Sequence, residues 1–166
     1  LSSALKNLSS YNPDSVPSAE AMRIGIVVAE WNNEITEALY NGAYATLLKH
    51  GAKPENIIKR YVPGSFELPT GAQLFAEHDD IAGIICLGCV IQGETRHFDF
   101  ICHAVAQGLT NLSVKYCKPF IFGVLTPNTQ QQALDRAGGK HGNKGDEAAI
   151  TAIKMVALEQ EMRTSL

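Results

Sequence analysis

Between Val90 and Phe100 the chain reads "VIQGETRHFDF", a stretch crowded with groups that can act on a small molecule. His97 titrates near neutrality when unperturbed, so it can take and return a proton, and a helix N-terminus beside it would hold down its protonated form. Gly93 and Thr95, in the same turn, can offer a backbone N–H and a hydroxyl to a phosphate, with Glu94 between them and Asp99 following. A plain surface histidine at a polar helix start is the alternative. Farther along, Arg136, Lys140 and Lys144 lie among Gly138, Gly139, Gly142 and Gly145. They are cations suited to an anion, and arginine can grip phosphate with two parallel bonds. A flexible hinge with solvated lysines explains that segment equally well. Trp31, the only tryptophan, offers a flat ring to a planar heterocycle or a lid over a sheet end. Gly64 and Ser65 let backbone come close to a ligand, and Glu67, between Phe66 and Leu68, can accept hydrogen bonds from hydroxyls.

These groups act together only if the fold gathers them. Apolar runs at 23–29, 56–62, 81–91 and 119–126 are strand-sized and mostly lack polar alternation, and each is followed by a helical pattern. After the first run, Ile35, Leu39, Ala43 and Leu47 recur at helical spacing, with Asn32 or Asn33 able to cap and Gly51 to stop the helix. The second passes through "PGS" into a helix that must hold Pro69 in its first turn. The third leads to a helix over 98–115 striped by Phe98, Ile101, Val105, Leu109 and Leu112. The fourth leads to "TQQQALDRA", a glycine-rich link over 138–145, and a last helix over about 146–162. The order predicts an α/β three-layer sandwich of flavodoxin-like type, a four-stranded parallel sheet with helices on both faces. Ligands of such sheets sit beyond the carboxyl ends of the strands. The segments leaving those ends are "AEWNNE", "VPGSFE", "IQGETRH" and "LTPNTQ", so the ionisable cluster falls where a ligand would bind.

Composition narrows the partners. At 166 residues the chain has the length of one domain, and a formal charge of −3 gives no basic surface for nucleic acid. The apolar runs are about half of what a bilayer span needs, so no membrane helix is expected. Residues 1–22 read as a loose arm without the apolar core of a secretory signal. The chain begins at Leu1, which leaves room for a removed leader. Cys86, Cys89, Cys102 and Cys117 lie in apolar segments, as thiols used as small hydrophobes in a reducing cytosol do. On a strand, Cys86 and Cys89 point to opposite faces and cannot share a metal or close a short disulfide. His50, His78, His103 and His141 show no metal-ligand spacing, and no catalytic metal is expected.

The pieces "GIVVAEWN", "VPGSFELP", "GCVIQGETRHFDF", "PFIFGVLT" and "QALDRAGGKHGNKGDEAA", in order across residues 23–155, together resemble the lumazine synthase family of riboflavin biosynthesis. The resemblance implies one domain over 23–166 that condenses 5-amino-6-(ribitylamino)uracil with 3,4-dihydroxy-2-butanone 4-phosphate. The products are 6,7-dimethyl-8-ribityllumazine, phosphate and water. It implies that Trp31 stacks on the pyrimidine with Asn32 beside it, that Ser65, Phe66 and Glu67 hold the ribityl chain, and that Val90 and Ile91 line the heterocycle. His97 matches the proton carrier. Gly93, Glu94 and Thr95 match the phosphate turn, and Arg136 the main phosphate ligand. An acid at Glu94 repels phosphate, so only its N–H should serve. Phe122, Lys140, Lys144 and Glu147 match residues around the same pocket, with Phe122, Arg136 and Lys140 supplied by an adjacent subunit. The resemblance further implies pentamers and, given the short 138–145 link, an icosahedral shell, with the arm adding a strand to a neighbour's sheet. A flavin- or lumazine-binding module without catalysis, or a shell scaffold of the same fold, are the alternatives.

Overall fold

Runs such as "IGIVVA" and "GIICLGC" have no polar side chain to turn toward water, so they require cover on both sides. In the computed structural model of the chain, which describes residues 6–77 and 80–165, they form the centre of a parallel sheet. Strands β1 (Ile24–Ala29) and β3 (Gly83–Cys89) are buried along their whole length. Strands β2 (Ile57–Val62) and β4 (Phe120–Leu125) flank them in the order β2-β1-β3-β4. Ile24 pairs with Ile57 on one side and Gly83 on the other, and Ile84 with Phe120. The predicted sandwich is the one that forms, with each strand up to two residues shorter at either end than its apolar run.

Alternation along the strands divides the core in two. Ile26, Val28, Ile85, Leu87 and Ile121 pack under α1 (Asn33–Lys49) and α5 (Lys144–Thr164), joined by Leu39, Leu47, Ile153 and Val156. Val27, Ile84, Phe120 and Val124 pack under α2 (Leu68–Ala76) and α3 (His97–Tyr116), joined by Leu68, Phe75, Val105 and Leu109. Each fully buried Ile, Leu or Val contributes about 1.5–3 kcal/mol, so the two layers carry most of the stability. Cys89 lies in the first layer and Cys86 in the second, as strand alternation requires, and all four cysteines are free.

The helix ends follow local chemistry. Gly51, at φ 94°, donates its N–H to Leu48 O at 3.0 Å while Ala52 donates to Leu47 O at 3.0 Å, a left-handed glycine cap that stops α1 where the sequence puts it. Pro69 occupies the first turn of α2, where its missing N–H costs nothing. The link over 138–145 is a finding against expectation. After α4 (Gln130–Leu134), residues Ala137–Gly139 (β5) and Gly142–Asn143 (β6) form a small antiparallel hairpin. The last helix then begins at Lys144, because the Asn143 side chain accepts from Gly145 N at 2.7 Å and caps it there.

The described part of the arm lies along its own chain. Leu8 N–H donates to His141 O at 2.7 Å, Tyr11 hydroxyl meets His50 Nε2 at 2.9 Å, and Ala19 N–H donates to His50 O at 2.8 Å. Residues 1–5 of the arm, and His78, lie outside the described residues. Among the described residues no helix is long and apolar enough to cross a membrane.

Candidate active site

In a parallel sheet all four strands deliver their following segments to one rim, and here those segments are tied to each other in strand order. Glu30 N–H donates to Val62 O at 2.8 Å and Trp31 N–H to Pro63 O at 3.1 Å, carrying the β1–β2 pairing past the strand ends. Val90 N–H donates to Leu125 O at 2.8 Å and Gln92 N–H to Pro127 O at 3.0 Å, doing the same for β3 and β4. Chain direction across the sheet reverses between β1 and β3, which leaves a crevice at their carboxyl ends.

Asn32 bridges that crevice. The sequence suggests it as a cap for α1, but its side chain makes no cap bond. Its backbone is left-handed, at φ 59° and ψ 47°, and its amide Nδ2–H donates to Cys89 O at 2.9 Å. A cap reaches forward along its own helix; this amide turns away from it and fastens the exit of β1 to the last residue of β3. Asparagine tolerates the left-handed region better than most side chains. The result is that Trp31, one residue earlier, stands 73% exposed over the rim.

The second segment supplies a floor and an edge. Gly64 is extended, and a single 3-10 turn, Ser65–Glu67, leads into α2. Ser65 is buried against β3, so closely that a Cβ on Gly88 would come within 2.5 Å of its Oγ. Phe66 is exposed, and the Glu67 carboxylate turns back over Gly64. In the third segment Val90 and Ile91 are half-buried, while Gln92 to His97 are exposed and no atom crowds Gly93. His97 N–H donates to Thr95 Oγ1 at 3.4 Å, and Arg96 lies 3.6 Å from the Asp99 carboxylate. His97 therefore opens α3, with its neighbours' N–H groups free to face an anion. Burial pushes the Cys89 thiol up to about 12, so it stays protonated at the crevice and takes no nucleophilic part.

The remaining candidates lie on other elements and are not brought together into one cluster. Arg136 is half-buried behind α4 and donates from Nη1 to Gln132 O at 3.0 Å. Lys140 is exposed on the hairpin. Lys144 sits in the first turn of α5 rather than in a loop, paired with Glu147 at 2.6 Å, with side chains only 13% and 17% exposed. Phe122 lies in mid-strand on the β4 edge, opposite Cys86 and three residues before the strand ends at Leu125, in a shallow apolar groove against α3. A single chain thus gathers Trp31, Asn32, Ser65 to Glu67 and the 90–97 segment around its rim. It carries Phe122, Arg136, Lys140 and the Lys144–Glu147 pair on other elements. Sequence reasoning missed Asn143, whose only signal was its place before the last helix, and the bond from Asn32 to a carbonyl 57 positions away.

Comparison with known proteins identifies the family. The family described as 6,7-dimethyl-8-ribityllumazine synthase matches residues 21–160. A protein of that name from Cytophaga hutchinsonii is 62% identical over 157 residues, 95% of this chain and 98% of its own length. Another from Parabacteroides distasonis is 59% identical over 94% of this chain and 98% of its own. One from Porphyromonas gingivalis is 53% identical over 96% and 99%. With a four-stranded parallel sheet of the expected kind and likeness across nearly the whole length, the chain belongs to the 6,7-dimethyl-8-ribityllumazine synthase family.

Proposed function

We propose that the chain is a transferase of riboflavin biosynthesis that condenses 5-amino-6-(ribitylamino)uracil with 3,4-dihydroxy-2-butanone 4-phosphate. The products are 6,7-dimethyl-8-ribityllumazine, phosphate and water. The observation that carries this reading is the crevice between β1 and β3, bridged by Asn32, with Trp31 standing over it and His97 at the start of α3. A flat ring suits the pyrimidine, and Val90 and Ile91 offer it an apolar wall. Ser65, Phe66 and Glu67 take the ribityl chain, Glu67 by accepting from its hydroxyls.

Phosphate binds at Gly93, Glu94 and Thr95 through backbone N–H groups and the Thr95 hydroxyl, the exposed Glu94 carboxylate turned to water. Arg136 supplies the principal charge and Lys140 reinforces it, with the Lys144–Glu147 pair flanking the pocket. His97 moves protons during imine formation and phosphate loss. Charge grows on the departing phosphate, and a guanidinium and unpaired helix N–H groups stabilise it most where water is scarce. Holding two reactants in register supplies the rest, and neither metal nor organic cofactor is required. In the complete site Arg136, Lys140 and Phe122 come from an adjacent subunit, as the likeness to the lumazine synthase family implies. The working form is a pentamer, assembled further into an icosahedral shell in the cytoplasm, a setting in keeping with four free thiols. The arm adds a strand to a neighbour at the open edge of β2. Mixing the two substrates with the protein and following the lumazine chromophore tests the reading. No absorbance growth would leave a binding module or scaffold instead.

A further inference from the structure

Arg136 and Lys140 can meet a phosphate only if the hairpin that bears them is held still, and a five-residue pairing cannot do that by itself. Three parts of the chain fix it, and all meet at Asn143. The Asn143 amide Nδ2–H donates to Ala38 O on α1 at 2.9 Å, and its Oδ1 accepts from Gly145 N at 2.7 Å at the start of α5. Its backbone N–H donates to Ser9 Oγ, in the arm, at 2.9 Å. One residue earlier the arm closes on the hairpin again, through Leu8 N–H to His141 O at 2.7 Å. Gly142 lies so close under it that an added Cβ would meet Asn7 Oδ1 at 2.3 Å and Ser9 N at 2.8 Å. On the other side, Lys144 N–H donates to Arg136 O at 2.8 Å, so the position of Asn143 and Lys144 sets that of Arg136.

We infer that residues Asn7 to Ser9 are a strap for the phosphate-binding hairpin, and that Ser9 and Asn143 are positioning residues that fix Arg136 and Lys140 for the phosphorylated substrate. This rests on the phosphate assignment proposed above. The arm then has work on its own chain, separate from any contact it makes with a neighbour. The strap touches no reacting atom, so loosening it should weaken capture of the butanone phosphate and leave the pyrimidine side, on β1 to β3, unaffected.

Steady-state kinetics on the full chain test this with Ser9→Ala, which removes the acceptor for Asn143 N–H, and Leu8→Pro, which removes the donor to His141. Each should raise KM for 3,4-dihydroxy-2-butanone 4-phosphate about two- to tenfold, the span of one lost hydrogen bond, with kcat and pyrimidine KM unchanged. Ser9→Thr, which keeps a hydroxyl, should restore the parent value. Arg136→Ala serves as the control. If it raises the butanone phosphate KM while both arm variants leave it alone, or if the arm variants raise both KM values equally, the strap is wrong and the phosphate assignment stands. If Arg136→Ala changes nothing, the assignment and the strap fall together.

Discussion

At Asn32 two requirements coincide, a left-handed backbone and an amide donor facing the Cys89 carbonyl. Asn32→Gly keeps the first and loses the second; Asn32→Ala loses both, adding roughly 1 kcal/mol of backbone cost. Pyrimidine kcat/KM should therefore fall about threefold in the glycine variant and about tenfold or more in the alanine variant. Equal activity in both and in the parent would remove the bridge from the mechanism. His97 makes a different prediction. If orientation and charge stabilisation provide most of the acceleration, His97→Ala lowers kcat about ten- to a hundredfold, the low end of general acid–base effects, with both KM values near the parent's. A loss of several thousandfold would make proton transfer the dominant contribution. The placing of His97 and Trp31 was legible in the sequence because their signals are local, an ionisable or aromatic group at a strand exit. The role of Asn32 was not, because its partner is a backbone carbonyl on another strand and a sequence pattern carries no such distance.

The strands and long helices were legible because burial on one or both faces imposes a period on the residues. The hairpin was not. Three residues paired with two give no alternation, and "AGGKHGNK" reads equally as a hinge; only its packing on α1 and the arm makes it a structure. Close helix packing follows the same logic. A Cβ on Gly145 would lie 1.9 Å from Leu39 O, backbone against helix α1, so α5 can approach only as glycine. Gly145→Ala should destabilise the fold by about 3 kcal/mol or more, the upper range for overpacking, seen as a lower denaturant midpoint. On the β2 flank, Lys59 reaches Glu37 on α1 at 2.8 Å, Tyr61 donates to the same carboxylate at 2.7 Å, and the ammonium lies 3.8 Å from the Tyr40 ring centre. Burial works to raise the Glu37 carboxyl, but the bonds from Lys59 and Tyr61 and the Lys59 charge outweigh it and leave it below its usual 4.5. A carboxyl lowered in the folded state adds stability above its unfolded value and loses it as pH falls through the folded one. Glu37→Gln should therefore lower stability above about pH 4.5, and the gap between variant and parent should close as pH falls below that value, a comparison made by thermal melting.

For the whole molecule, the parallel sandwich followed from the alternation of strand and helix, whereas the strand order β2-β1-β3-β4 came only with the structure. Phe122 and Val114 share an exposed apolar groove between β4 and α3, a surface suited to cover by another chain. Gel filtration at micromolar concentration should give a pentamer or a much larger particle, and a stable monomer would leave Arg136 with no neighbour's rim to reach. The free cysteines lie at graded depths: Cys117 at the surface, Cys102 part-way in, and Cys89 and Cys86 sealed in the two core layers, where burial opposes ionisation. An alkylating reagent turns that gradation into a depth gauge, since only a thiolate in contact with solvent reacts. Cys117 takes the tag promptly, whereas Cys86 waits for the central sheet to part, and its labelling rate records how often that happens.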